Sequence, residues 1–425
     1  MPTHGVTTER MTHDLSMPAI IPTITRYLRN QLATRYLRNR LARSSLTESA
    51  KTEVRRDHRG LPAGDSGIDA VERAALAWLG DAQDFSASGD GGAARHFSLV
   101  NGWSTSYPET SGYIVPTLIE AGLRRNDSVL LERARRMTDW LVSIQLANGG
   151  FQGGTIDEKP AVPVTFNTGQ ILMGLAAAAR QFGDKYAEPM QRAAGWLVQT
   201  MEPDGSWRQF PSPFTAPGEK VYETHVAWGL IEAARASTRA DVAARYADAA
   251  VRNARWALTK QRSNGWFDSC CLSSPNAPLT HTIGYALRGL TEIFRYTRDA
   301  EVLSSALLTA DALSTRVGQD GFLSGRLTRR WEGAVNWACV TGSAQIAHSL
   351  LLLADEGEKE QYREAAFRLL SYARRTVRLD GPAGVRGGVR GSFPINGDYC
   401  AYEFINWGAK FLIDAGVAES VARAS

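Results

Sequence analysis

The sequence predicts an all-α fold, an (α/α)6 toroid of six helical hairpins around a central cavity. Three observations carry that prediction. A turn signature recurs about every 57 residues, a period typical of helical-repeat architectures. Between turns, a helix that is apolar on nearly every side alternates with one that is amphipathic. The repeat region opens on an unpaired amphipathic helix and finishes on an unpaired apolar one, and pairing those two closes a ring.

Ahead of the repeats, residues 1–64 read as a basic N-terminal arm and residues 65–425 as the toroid. Residues 15–47 hold no acid but carry Arg26, Arg29, Arg35, Arg38, Arg40 and Arg43, and Thr-Arg-Tyr-Leu-Arg-Asn occurs twice, at 25–30 and 34–39. Tyr27, Leu28, Leu32 and Tyr36 give a partial helical stripe. Two states are open for this arm. One is a solvated, partly disordered tail that runs on through Lys51 to Gly60. The other is an amphipathic helix in peripheral contact with an anionic membrane or docked on a partner. Gly60 to Gly67, with Pro62 inside it, reads as the linker.

The turns are Gly91-Gly92, Asn148-Gly149-Gly150-Phe151, Asp204-Gly205-Ser206-Trp207, Asn264-Gly265-Trp266-Phe267, Asp320-Gly321-Phe322 and Gly391-Ser392-Phe393. A second signal, out of phase with the first, opens a small-residue helix at Gly112, Gly169, Gly284 and Gly342, and Gly112 to Gly169 is 57 residues. The stretches 168–181, 224–236 and 282–296 are apolar almost all round, so they are expected in the inner ring, where Ala and Gly allow close approach. The stretches 128–146, 184–201, 240–261 and 300–317 are charged on one side and read as outer helices, with Asp127, Asp184 and Asp299 near their starts. The helix at 68–80 is an outer helix without an inner partner, and 402–415 is an inner helix without an outer one. An open solenoid would need polar caps at its ends, which favours the ring.

Composition narrows the function classes. Apolar content of 44% with 22% charged residues is globular, and a net charge of +4 over 425 residues gives no reason to expect nucleic acid. Cys270, Cys271, Cys339 and Cys400 form neither a CxxC pair nor a disulfide framework, so buried thiols are expected. No apolar run approaches the roughly 20 residues that span a bilayer. No signal core is seen near residue 1. A cytoplasmic or membrane-peripheral protein without cofactor or metal is the expectation.

The alternation of buried helix, amphipathic helix and Gly-aromatic turn resembles the terpenoid cyclase and protein prenyltransferase superfamily; "QLANGGFQGG" and "EPDGSW" look like its turns. A closer resemblance is to toroid proteins of bacterial exopolysaccharide gene clusters. It is carried by "YPETSGYIVPTLIEAG", "FNTGQILMGL", "NWACVTGSAQIAHSLLLLA" and "GSFPINGDYCAYEFINWGAKFLIDA", and it spans roughly residues 68–415. The resemblance implies a toroid and a setting in polysaccharide assembly or turnover. The squalene-cyclase DxDD acid is absent. "DSC" at 268–270 is only a partial match to a prenyltransferase zinc site, and its third ligand would have to be His281 or His348 at foreign spacing.

In such a ring the loops entering the inner helices, with the first turns, gather at one mouth. Candidate catalytic residues there are Glu109, Glu223, Asp398, His225, His281 and Tyr399. Candidate substrate-binding residues are Trp103, Tyr107, Asn167, Gln170, Trp207, Tyr285, Arg326, Arg330, Asn336, Trp337, Arg386, Tyr402 and Asn406. Flat aromatic faces beside carboxyls, amides and hydroxyls suit a sugar. Loop arginines, Arg390 among them, would favour an anionic one. A glycoside hydrolase using two of Glu109, Glu223 and Asp398 stands slightly ahead of a uronate lyase or epimerase using His or Tyr. An isoprenoid-active toroid and a non-catalytic glycan-binding assembly factor are the other readings. Against function stand two plainer readings: each carboxylate caps its inner helix, and the turn aromatics Phe151, Trp207, Trp266, Phe322 and Phe393 pack the hairpin ends.

Overall fold

The computed structural model describes residues 46–425 except 217, 357 and 358. The part of the arm expected at a membrane lies, apart from its last two residues, outside the described residues. Among the described residues no helix is long and apolar enough to cross a membrane.

Among the described residues thirteen α-helices follow one another, with only two- and three-residue strands between them. A first helix, α1 (Glu48–His58), precedes the ring. The outer helices are α2 (Ile68–Asp84), α4 (Ser128–Ser143), α6 (Ala187–Gln199), α8 (Ala240–Leu258), α10 (Ala300–Ser314) and α12 (Glu360–Arg375). The inner helices are α3 (Pro108–Arg125), α5 (Thr165–Phe182), α7 (Thr224–Ala236), α9 (Thr280–Thr297), α11 (Val340–Ala354) and α13 (Asn406–Ala424). Each inner helix packs on the next, α13 reaches both α11 and α3, and α2 lies against α13. The two unpaired ends therefore do complete the ring, as the sequence predicts.

Small residues set how closely the inner ring packs. A Cβ on Gly112 would collide with the Ile171 backbone, one on Gly174 with the Gly112 carbonyl, and one on Gly229 with the Gly169 carbonyl. The outer helices use sequence-legible caps: Asp127 accepts from the Val129 and Leu130 amides, and Asp299 from those of Glu301 and Val302. Asp184 instead opens a 3-10 turn, Asp184–Tyr186, ahead of α6.

The repeated turn has one construction. The Asp90, Asn148, Asp204, Asn264 and Asp320 side chains each accept from the amide two residues on, at 3.0 to 3.3 Å. The glycine between them holds a positive φ, from 82° at Gly265 to 100° at Gly91. Each of these glycines faces a carbonyl of the following outer helix. The sixth such glycine is Gly387, which faces the Ala74 carbonyl of α2. Gly391-Ser392-Phe393, which the sequence offers for that place, is instead a strand segment paired with Ala338–Cys339. Its Gly-Ser-aromatic pattern mimics the turn without the preceding Asp or Asn.

The charged stretch after Lys51 also departs from its tail reading. It forms α1, and α1 carries two buried acids, Glu53 and Asp57. Asp57 accepts from Arg390 Nε at 2.8 Å and from the Ile395 amide at 2.9 Å, while Glu53 meets Arg390 and Arg378. Partners some 330 residues away in sequence supply what a local reading of charge lacks.

Candidate active site

The N-terminal ends of the inner helices converge on one mouth, here the upper mouth. Its cavity, of about 120 Å³, is lined by Arg95, Tyr107, Glu109, Thr110, Tyr113, Phe166, Ser212, Phe214, Thr215, Tyr222, Leu272, His281, Tyr285, Tyr399, Cys400 and Trp407. Five of the sequence candidates line it: Tyr107, Glu109, His281, Tyr285 and Tyr399.

Glu109 enters because Pro108 starts α3 with its fixed φ and Tyr107 arrives in extended conformation. Its Oε2 accepts from the Tyr107 hydroxyl at 2.8 Å. Burial raises its pKa to about 7, against the opposing pull of the Tyr107 hydrogen bond and Arg95. A carboxyl in that state is split between acid and base near neutral pH.

His281, in the first turn of α9, has Nδ1 2.7 Å from Gln345 Oε1. An amide oxygen only accepts, so Nδ1 carries the proton and Nε2 keeps its lone pair. Burial takes the ring pKa down to about 4, against the Gln345 bond, so the ring is neutral at ordinary pH. The same pairing recurs one layer in, where His225 Nδ1 meets Gln170 Oε1 at 2.7 Å. Tyr285 lies between the two imidazoles, with ring centroids 4.3 Å from His281 and 4.4 Å from His225. Its hydroxyl is 3.4 Å from that of Tyr113. Tyr399 accepts from the Trp407 indole N–H at 2.9 Å.

Behind the wall stands a shell of buried polar atoms without a protein partner: Asn167 Nδ2 and Oδ1, Gln170 Nε2, Glu223 Oε2, His225 Nε2 and Gln345 Nε2. Such atoms are rare in folded proteins and concentrate where solvent or a ligand reaches. Glu223 closes a 3-10 turn before α7 without capping that helix. Burial raises its pKa to about 8, against Lys220. It does not line the upper cavity, and neither do His225, Gln170 and Asn167.

The remaining candidates are placed elsewhere. Asp398 is about one-third exposed and lies 3.6 Å from Arg326, whose Nη1 donates to the Ala277 carbonyl. Arg330, Asn336 and Arg386 are exposed, and none of them lines the cavity. Trp337 packs against Gly325 and Gly397, and Tyr402 is buried with a φ of 65°. Asn406 ties the start of α13 to the Ala94 carbonyl and the Thr110 hydroxyl, both at 2.8 Å. Trp207 donates to the Leu197 carbonyl, and Trp103 packs on Trp78 and Phe97. These tryptophans hold loops together. Arg390, also read as a loop charge, is buried in its pairs with α1.

Arg95 is the cation the sequence does not single out. It meets Glu403 Oε2 at 3.2 Å and lies 5.2 Å from the Trp407 ring centre. It comes from the loop after α2, outside the repeat phase, as Ser212, Phe214, Thr215 and Leu272 come from later long loops. All four cysteines are free, and Cys270 Sγ donates to the Thr282 carbonyl. Among the described residues no group of three His, Cys, Asp or Glu side chains is arranged to hold a metal ion.

No protein-family model matches the chain, and no curated protein does. Solved structures do. An unsaturated glucuronyl hydrolase specific for heparin aligns with a TM-score of 0.66 at 17% identity, over 85% of this chain and 99% of that one. A D-mannose isomerase gives 0.66 at 14%, over 86% and 100%. Cellobiose 2-epimerase from Bacillus thermoamylovorans B4167 gives 0.64 at 10%, over 81% and 96%. At these identities the likeness establishes the fold, an α/α toroid.

Proposed function

We propose that this chain is a carbohydrate-active enzyme that moves protons on a single sugar residue, as a sugar isomerase or epimerase. The observation that carries the reading is the composition of the upper cavity: one carboxyl poised near neutral pH and one neutral imidazole with a free Nε2. Glu109 supplies the acid and His281 the base, with Tyr285 and Tyr399 as hydroxyl partners for the sugar. Aromatic walls stack on the C–H face of a pyranose. A cavity of about 120 Å³ suits a chain end better than the interior of a polymer. The similar structures are named for sugar substrates, which supports the class but does not choose the reaction.

The hydrolase reading favoured by the sequence needs two carboxyls roughly 5 to 9.5 Å apart. Among the described residues lining the cavity Glu109 is the one carboxyl, and that moves the preference. Glycoside hydrolysis stays as the second reading because Glu109 has the raised pKa of a general acid, and Asp398 stands with Arg326 outside the lining. An acidic sugar rests on Arg95 alone, since Arg326, Arg330 and Arg386 do not line the cavity. Polysaccharide assembly or turnover is the setting that the sequence resemblance supports.

The test is incubation of the purified protein with reducing mono- and disaccharides in deuterated water, read by proton NMR, with reducing ends assayed in parallel. Deuterium at the carbon next to the anomeric centre, lost in Glu109→Gln and in His281→Asn, supports the proposal. New reducing ends without exchange support hydrolysis. Saturable sugar binding without turnover overturns both.

A further inference from the structure

We propose that the opposite mouth of the ring is a second ligand site, for a compact oxyanion of the phosphate type. This stands independently of the reaction at the upper mouth. All six inner helices end around a cavity of about 720 Å³. Four guanidiniums there, Arg180, Arg235, Arg288 and Arg295, share two carboxylates. Glu232 takes Arg180 at 3.1 Å and Arg235 at 2.5 Å. Glu292 takes Arg288 at 2.8 Å and Arg295 at 3.0 Å, with Arg235 at 3.8 Å. This half of the wall therefore carries two positive charges beyond its acids.

Over the whole lining six cations meet six carboxylates, so the excess is local to this half. Lys410, 2% exposed, spends its charge on Asp414 at 2.6 Å, and Asp414 also accepts from the Thr117 hydroxyl at 2.7 Å. Glu120 remains as the acid of that half, its pKa raised by burial and by the Asp414 charge. Asp355 and Glu356 of the rim are taken by Arg363 and Arg298.

His348 of α11 is 9% exposed and lines the same cavity, and its ring nitrogens have no hydrogen bond within the described residues. The cations that bear on it are Arg288, Lys410 and Arg295. An imidazole without a protein hydrogen bond, beside Arg288 and Arg295, adds one N–H to the guanidinium donors of this wall. Forked guanidiniums match a tetrahedral oxyanion geometrically, and three donor types can address three oxygens at once. Trp228, with Arg288 4.6 Å from its ring centre, bounds the site.

The test is calorimetric titration of the full chain with inorganic phosphate and with pyrophosphate at low salt. Saturable binding at or below about 1 mM is expected, with melting temperature rising as ligand is added. Arg295→Gln and His348→Asn should each weaken it by about tenfold, and Arg295→Lys by less, because charge survives while the fork is lost. Circular dichroism and melting curves confirm that each variant is folded, and His348→Asn removes no ion pair. Absence of saturable binding in the wild type overturns the proposal, and so does binding that both variants retain in full. Binding of malonate in preference to phosphate and pyrophosphate overturns the phosphate assignment.

Discussion

Buried glutamates are treated in opposite ways at the two mouths of this ring, as Glu109 and Glu292 show. Glu109 and His281 in the upper cavity, and Glu223 outside its lining, are buried with few or no charged partners, so burial moves their pKa values to about 7, 4 and 8. At the lower mouth, Glu292 is as deeply buried, yet its pKa is lowered because Arg288, Arg295 and Arg235 outweigh the desolvation. Burial without pairing brings these two carboxyls to titrate near neutral pH and keeps the imidazole uncharged there. Burial with pairing yields fixed charge. The first suits chemistry and the second suits holding an ion.

Four substitutions and one pH profile break or sharpen that contrast. The largest effect is expected from Glu109→Gln, which should lower kcat/KM on the sugar substrate by about 10²- to 10⁴-fold while the melting temperature holds or rises. A pH profile of the wild type should fall above about 7, as Glu109 loses its proton, and below about 4, as His281 gains one.

Next comes Asp414→Asn at the lower mouth. It leaves the Lys410 ammonium buried without its carboxylate and should cost about 3 kcal/mol in urea unfolding. A loss under about 0.5 kcal/mol would mean that this mouth is too wet for the contrast to hold.

Third is Glu223→Gln, with a sign opposite to that of Asp414→Asn. The folded-state pKa of Glu223 is raised from 4.5 to about 8. The folded chain thus binds the more protons between those values, and stability falls as pH rises through them. Glu109 adds the same trend up to about 7. In Glu223→Gln the decline between pH 5 and pH 8 should shrink by about 1 kcal/mol or more. An unchanged decline would mean the group is solvated.

The smallest effect is Trp207→Phe. It loses the indole bond to the Leu197 carbonyl, at 3.0 Å, for about 1 kcal/mol, and sugar affinity should stay within about twofold.

The fold is legible because its signals are periodic. Inner helices betray themselves by small apolar residues, and outer ones by one-sided charge and capping acids, so most boundaries fall within a few residues of expectation. The site is legible only where it rides on that periodicity. Tyr107, Glu109, His281, Tyr285 and Tyr399 stand at or near the starts of inner helices, or on the loop entering one, where the period points. Arg95, Phe214 and Leu272 come from connecting loops with no period to read. Trp103 and Trp207 mislead because an indole that packs a turn looks, in sequence, like one that stacks on a sugar. The acids of α1 mislead for another reason: their partners Arg378 and Arg390 lie in a distant loop, and pairing across the chain leaves no local trace.

Closure of the ring through α13 against α2 and α3 has a consequence for how the protein comes apart. In a linear array the terminal repeats have one neighbour each, so unfolding can fray inward from an end. Here the helix pair that joins the two ends is flanked on both sides like every other, and no repeat offers a weak margin. Chemical denaturation should therefore run as one concerted transition, with tryptophan fluorescence and helicity lost together.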